Sequence, residues 1–589
     1  MTSGQAQEAA YSHGRFIPSI EGMRAIAVLA VLLFHLDIRG VDGGYLGVDL
    51  FFVLSGFIIS RNILGDIGRG EFSLRDFYVR RIRRLFPALC ATVLITLVAA
   101  LVLMPPAELA QAAKSGIFAL LSLANFNFWL ESGYFEAAAD AKPLLHTWSL
   151  SVEEQYYLLW PALLLTLRRY RPQLIVTIAL LSLSLVAALT QRHLMPDAVF
   201  YQLPFRVHQL MAGALLALLA TPLRGKAADA ATLAGIAGFL FVVILPGDRL
   251  SPAIGAAWVS LLGSLLLLGR ESGVAGVLFG ARTMQWVGRR SYALYLVHWP
   301  LVVLYKFATD FELQVPERLL LFALSIIAAV GLHEWVEKPF RKRREDVTIL
   351  QRSALPVSLC GLVITVAAAS YVWYMQGFPA RADVAIQRLV ESVDREKAER
   401  RRAIRFGRCN LHKPHSFEDY DQTLCATPDP TRPDVLVIGD SMAADSYMSL
   451  VQAYPEVHFM QATAGACTAI MEITDPRGQY PACDALNAYR FDGLLERRPD
   501  VVLLASIWTS ERIPALRATV DFLQGRGLRV LVIGPRGEFP GFVPLLASMA
   551  GSPEGLNERL ADAIQLKRDL LLEMRAALPD VEIIDIGAV

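Results

Sequence analysis

Between Arg24 and Tyr374 the chain is a series of apolar runs separated by short polar or basic stretches, whereas from about Gly377 it reads as a soluble mixture. Runs able to cross a bilayer lie near 22–37, 45–60, 86–104, 154–167, 174–190, 205–220, 231–246, 253–268, 291–308, 318–335 and 355–374. Several are shorter than the ~20 residues of a full span, so their ends draw on flanking residues. A twelfth run, 116–130, is interrupted by Asn125 and Asn127. Loop charge decides its status, because cytoplasmic loops collect Lys and Arg. With the N-terminus cytoplasmic and 116–130 re-entrant or interfacial, the basic segments 61–84, 168–171, 221–230, 269–290 and 337–352 all fall inside. The loops left outside, such as 131–152 and 309–317, are acidic or nearly neutral. The pattern thus predicts a multi-pass α-helical membrane region of eleven spans, ten within 17–343 and an additional one at 355–374. An odd count places everything after Tyr374 outside the cytoplasm. Residues 1–16 lack an apolar core, so no cleavable signal peptide is expected and this segment reads as a cytoplasmic N-terminus.

Beyond a charged linker or extension at 377–433, the periodicity changes. Apolar strands are predicted at 434–439, 456–461, 500–505, 528–533 and 581–586, with helices near 442–453, 484–497, 511–526 and 556–576. Such alternation implies a doubly wound α/β domain at 434–589 with a parallel sheet. Ligands of such sheets sit beyond the carboxyl ends of the strands. There stands Gly439-Asp440-Ser441, a tight turn that would expose Ser441, although loop serines mostly cap helices.

Composition agrees with two solvents. Of the 589 residues, 54% are hydrophobic and only 19% charged, below the ~25% of soluble proteins. The formal net charge of +1 argues against a nucleic-acid partner. Cys90 and Cys360 fall in apolar spans, whereas Cys409, Cys425, Cys467 and Cys483 all lie in the soluble part. Local pairs 409–425 and 467–483 are the natural assignment among three possible connectivities. Disulfides persist in an oxidising compartment such as a bacterial periplasm. No metal site is expected, since the cysteine spacing is too wide and His412 and His415 match no metal pattern.

Polar groups inside the apolar half are the candidate chemistry. Arg24 and His35 are eleven residues apart in one span, so they share a helix face about 16 Å apart along the axis. Arg inside a span costs at least ~2.5 kcal/mol and usually marks a site, though Arg24 can also snorkel to the surface. Arg81 and Arg84, at i,i+3, either hold the cytoplasmic side by charge or clamp phosphates, which suits an arginine fork. In PLLHTWSLSVEEQYYLLWP, Ser151 and Glu154 fit a capping box, leaving Glu153 and His146 as acid/base candidates. Arg206 opens a later span, and His298 lies within SYALYLVHWPL; each alone is more often structural.

RAIAVLAVLLFH, GYLGVDLFFVLSGFIIS, FYVRRIRRLFP, LLHTWSLSVEEQYYLLWP, SYALYLVHWPL and VEKPFRKR occur in an order that resembles the membrane acyltransferase-3 family over residues 17–343. The resemblance implies ten spans and transfer of an acyl group, most often acetyl, onto extracytoplasmic carbohydrate. It makes Arg24 and His35 the family's Arg-x10-His pair, Arg81 and Arg84 its RxxR pair, and Glu153 the glutamate of its SxxEEQ-type segment. Arg206 matches the arginine of a later segment, where this chain has Gln209 in place of a frequent glutamate. Acetyl-CoA is then expected as donor substrate, with no bound cofactor; the arginines would hold its phosphates, and His35 would take a proton or carry the acyl group.

The Gly-Asp-Ser turn resembles the nucleophile block of the SGNH hydrolase family, whose fusion to an acyltransferase-3 half is a known architecture. The resemblance makes Ser441 a nucleophile and Gly465 an oxyanion-hole donor. ASIWTS stands where many members carry an asparagine. The family's base comes from an Asp-x-x-His segment after the last strand, and the sequence stops at Val589 without one. His458 is the one histidine after Ser441, on a strand and poorly placed. Either a C-terminal segment is missing or the domain is inactive; a missing segment is the preferred expectation. The expected function is an O-acyltransferase of a bacterial inner membrane, moving acetyl from acetyl-CoA to an exported polysaccharide such as lipopolysaccharide O-antigen or peptidoglycan. A transporter with a non-catalytic periplasmic cap is the alternative, against which stands the lack of an inverted repeat or paired broken helices.

Overall fold

A computed structural model describes residues 17–132, 141–167, 170–192, 194–219, 222–245, 251–309, 313–341, 354–381, 399–412, 415–471, 482–536 and 553–585. The expected cytoplasmic segment 1–16, the basic stretch 342–352 and part of the linker (382–398) lie outside the described residues. The chain divides into two units, Met1–Arg381 and Ala382–Val589.

In the first unit every apolar run expected to span coincides with a helix. In chain order the helices are α1 (Pro18–His35), α2 (Gly47–Gly68), α3 (Leu74–Leu103), α4 (Pro106–Leu120), α5 (Ala124–Leu130), α6 (Thr147–Thr166), α7 (Tyr170–Gln191), α8 (Leu203–Leu219), α9 (Gly225–Ile244), α10 (Pro252–Leu268), α11 (Gly273–Gly280), α12 (Arg282–Arg289), α13 (Ser291–Ala308), α14 (Val315–Gly331) and α15 (Ala354–Tyr374). At least seven helical stretches are long and apolar enough to cross a membrane. Outward faces are apolar, as lipid requires: Ile95, Val98 and Val102 on α3, and Ile175, Leu183 and Val186 on α7, are exposed. This is a multi-pass membrane protein.

The doubtful run 116–130 is not one helix. It breaks between α4 and α5, where Ser122 has φ +58°. Helix directions show that the pair makes no net crossing. Along α13, Tyr292 donates to the Leu85 carbonyl of α3 (2.9 Å), and Tyr295 donates to the His146 carbonyl at the start of α6 (2.8 Å). Near the start of α3, Tyr78 donates to the Leu158 carbonyl and Arg81 lies 4.5 Å from the Tyr157 ring. So α6 descends where α3 ascends, and 7-residue α5 is too short to cross.

The segment 269–290, expected to be a loop, contains α11 and α12, which pack against α1. The chain bends by 108° between α10 and α11. Eight apolar residues cannot span, so α11 buries Ala275 and Phe279 against α1 instead.

Among the described residues the second unit holds a six-stranded sheet: β1 (Asn410–Leu411), β2 (Asp434–Gly439), β3 (His458–Ala464), β4 (Val501–Ala505), β5 (Arg529–Ile533) and β6 (Glu582–Ile584). All pairs are parallel, in the order β1-β3-β2-β4-β5-β6. The intervening helices are α16 (Ser441–Ala453), α17 (Cys483–Phe491), α18 (Ile513–Gly525) and α19 (Pro553–Ala577). The strands alternate helix-covered faces, giving apolar clusters on both sides. From β2 the chain goes to β3 on one side and β4 on the other, so the carboxyl end of β2 is the switch point where ligands sit.

Candidate functional site

A cavity opens among α1, α2, α3, α6 and α13. Its walls combine apolar residues such as Val48, Phe51 and Leu89 with Arg24, Arg81, Arg84, Glu153, Glu154, Tyr157, Tyr292 and Tyr295. Three helices, α1, α3 and α6, therefore deliver the four cavity-lining groups singled out in sequence, Arg24, Arg81, Arg84 and Glu153. Ser55 donates to one Glu153 oxygen (2.9 Å) and Tyr157 to the other (2.8 Å). Arg81 lies over the Tyr157 ring, so arginine, tyrosine and carboxylate form one connected row. Arg24 reaches Glu21 at 3.4 Å.

Tyr295 forms the opposite end. Its hydroxyl meets Ser149 at 2.6 Å, and its ring lies 5.4 Å from His146 and 5.6 Å from His298. Behind it, His35 Nδ1 is 2.9 Å from His298 Nε2, and the His35 ring lies 4.4 Å from Trp299. Neither ring nitrogen of buried His146 makes a hydrogen bond among the described residues. Arginines thus occupy one end of a path along α1, and three histidines the other, about 16 Å apart by the rise from Arg24 to His35.

In the second unit Ser441 begins α16 at the switch point. Gly439 has φ +154°, and a β-carbon there would meet the Ala505 carbonyl at 1.7 Å, so the turn requires glycine. Asp440 accepts from the N–H of Met442 and of Ile507, both at 2.8 Å, fixing the turn to the β4 loop. Burial raises the Asp440 carboxyl above its ordinary range, and those two N–H groups counter it. The Ser441 hydroxyl has no hydrogen-bond partner among the described residues.

Beneath the turn lies Arg490 of α17, fully buried. It donates to the carbonyls of Gly439 (2.6 Å), Ala462 (2.9 Å) and Cys467, and to Asn487 Oδ1 (2.7 Å). Burial lowers it to about 9, still charged at neutral pH. Arg490→Met would strip these acceptors at about 1–3 kcal/mol each. The urea midpoint of the second unit, followed in the full chain, should drop by the equivalent of roughly 3 kcal/mol or more. An unchanged midpoint would refute this role.

A family profile described as an acyltransferase domain matches residues 17–334, and one described as an SGNH domain fused to AT3 domains matches 408–589. The chain belongs to the acyltransferase-3 family. It is 29% identical over 353 residues to the peptidoglycan O-acetyltransferase OatA of Listeria monocytogenes, covering 56% of each chain. It is 26% identical over 504 residues to the putative peptidoglycan O-acetyltransferase YrhL of Bacillus subtilis, covering 76% of this chain and 79% of that one. It is also similar to the O-acetyltransferase OatA of Staphylococcus aureus, at 27% over 351 residues, covering 56% of this chain and 58% of that one. The chain thus spans just over half the length of two of these three relatives. No solved structure matches.

Within this acyltransferase-3 domain several sequence expectations change. Ser151 lies inside α6, donates to the Thr147 carbonyl and accepts from the Ala124 N–H. The expected capping box is therefore absent, and Glu154, set aside as its partner, lines the cavity beside Arg81 and Arg84. Arg206 is not among the cavity-lining residues. It is buried against Asp49 (2.9 Å) and donates to the Phe200 carbonyl, while Gln209 also donates to Asp49. This pair sits where α2 and α8 approach closely through Gly56 and Gly213. His298, read in sequence as more often structural than catalytic, is the partner of His35. Only the fold brings them together, because 263 positions separate them.

In the SGNH domain, Gly465 donates its N–H to the Leu411 carbonyl (2.9 Å), so that donor is already spent and cannot serve an oxyanion as expected. Gly465 instead makes room for His412, which a β-carbon would meet at 2.2 Å. His458 pairs with Asp434 (2.6 Å) at the amino end of the strands, the end opposite Ser441. The structure joins Cys409 to Cys425 and Cys467 to Cys483. Thiol alkylation of denatured, unreduced protein should therefore modify Cys90 and Cys360 alone; labelling of the other four without reductant would contradict both bridges.

Proposed function

We propose that the protein is an O-acetyltransferase that passes an acetyl group from cytoplasmic acetyl-CoA through the helical unit to an exported glycan. The observation that carries this reading is the single cavity in which Arg24, Arg81 and Arg84 stand at one end and Tyr295, backed by His35, His146 and His298, at the other. Coenzyme A is polyanionic, and an arginine fork matches phosphate geometry. Its thioester arm would then enter the apolar middle of the cavity. At the far end His35 acts as base or as transient carrier. As base, it takes the acceptor's hydroxyl proton while that oxygen bonds the acetyl carbon and the C–S bond breaks; the thiolate leaving the donor regains a proton to give the free thiol. Glu153, oriented by Ser55 and Tyr157, serves as the acid/base group nearer the arginines.

Eleven crossings, a cytoplasmic N-terminus and a periplasmic second unit in a bacterial inner membrane fit the same picture. Each of the eleven predicted runs overlaps a helix, α1, α3 and α13 (first, third and ninth) run the same way, and α6 (fourth) runs opposite. Two disulfides suit an oxidising compartment. Ser441, at the ligand end of the sheet, is the proposed relay that receives acetyl and hands it to a sugar hydroxyl. Two of the named relatives are described as peptidoglycan O-acetyltransferases, one of them as putative, which supports a glycan acceptor; lipopolysaccharide O-antigen is the other acceptor in that class. Inverted membrane vesicles given acetyl-labelled acetyl-CoA test the reading. Label on glycan or protein is expected. Label taken up without covalent attachment would instead indicate transport, and glycan mass spectrometry with and without the gene identifies the acceptor.

A further inference from the structure

His298 donates from Nδ1 to the carbonyl of Leu294 at 3.0 Å, since a carbonyl can only accept. In the neutral ring its Nε2 then carries the lone pair. That lone pair faces His35 Nδ1 at 2.9 Å, so His35 must hold its proton there and keep its own lone pair on Nε2. The two rings lie nearly parallel, 5.1 Å apart at 25°, and Trp299 packs against His35 from the same helix as His298. Among the described residues no carboxylate takes the place behind His35 that an aspartate takes behind a catalytic histidine; a neutral imidazole fills it, avoiding a buried anion.

We propose that His298 is a positioning residue that fixes the tautomer of His35, making His35 Nε2 the reacting atom, and accepts the Nδ1 proton as that ring becomes cationic. This rests on the reading of His35 as the reacting group. It holds for either role of His35, because in both the new bond, to a proton or to an acyl carbon, forms at Nε2. As acyl carrier, His35 Nε2 bonds the acetyl carbon, the thioester C–S bond breaks, and the Nδ1 proton passes to His298.

Diethyl pyrocarbonate provides a test that needs neither coenzyme A nor glycan. It places an ethoxycarbonyl group on an imidazole lone-pair nitrogen, the opposite nitrogen loses its proton, and the leaving half decomposes to carbon dioxide and ethanol. Full-length protein in membranes would be treated, and adduct formation on the His35 peptide timed by mass spectrometry. His298→Gln keeps an oxygen near the place of Nε2, so labelling should stay within about threefold of wild type; His298→Leu should slow it at least about tenfold. His298→Asn, whose amide reaches Leu294 but not His35, should behave like the Leu variant and keeps the comparison informative should that variant fold poorly. Acetyl transfer should follow the same order in kcat with KM for the donor unchanged. Equal labelling in all variants, or equal slowing in the Gln and Asn variants, would overturn the proposal. Absence of acetyl transfer in wild type with the labelling order intact would remove the transfer reading and leave the pairing standing.

Discussion

His35→Ala is expected to lower acetyl transfer by about 10²–10⁴-fold, the range a positioned base contributes. Donor binding should be unchanged, because Arg24, Arg81 and Arg84 stand at the other end of the cavity. Insertion should survive, since His35 is the last residue of α1. Transfer from labelled acetyl-CoA in membranes with matched protein content measures this. Wild-type transfer by the variant would remove His35 from the chemistry, and His298 with it.

The second large effect belongs to the arginine end. Arg81→Ala combined with Arg84→Ala should raise the KM for acetyl-CoA by roughly 10²–10³-fold and affect kcat far less. A hydrogen bond to a charged group contributes about 1.5–3 kcal/mol, and two neighbouring ones are not fully additive. Arg81 also packs on Tyr157, so its loss removes one support of the Glu153 row. Orientation in the membrane should hold, because Arg61, Arg69, Arg75, Arg80 and Arg83 remain nearby. A variant with unchanged KM would show that these arginines serve topology alone.

Membrane helices and the α/β alternation were legible because both follow from long periodic apolar runs. The strand 434–439 matches β2 residue for residue, and its Gly-Asp-Ser end lies at the sheet's ligand-binding edge. What escaped was short or compensated. β1 has only two residues, too few for a period, and α11 and α12 hide in a basic stretch that looked like a loop. Arg490 sits in CDALNAYRF, a polar-looking helix whose one cation turns out to be buried beneath the Gly-Asp-Ser turn; no sequence rule flags a guanidinium satisfied by carbonyls.

Site residues divide along the same line. Arg24 was readable because charge in an apolar run is costly enough to need a reason, Arg81 and Arg84 because their i,i+3 spacing suits a phosphate fork, and Glu153 because no capping rule explained it. Glu154 was lost because a local rule explained it, and the helix begins five residues earlier than that rule needs. His298 was unreadable as a partner of His35, since their meeting depends on how α1 and α13 pack. Gly465 shows the converse error. The glycine is required, but for the close approach of His412 rather than for a free N–H.

The most direct measurement is equilibrium binding of labelled coenzyme A to the purified full-length protein. The account predicts saturable binding at one site per chain, weakened at least about tenfold in the Arg81→Ala/Arg84→Ala protein and unaltered in His35→Ala. No saturable binding by the wild-type protein, or equal binding by all three, would contradict it.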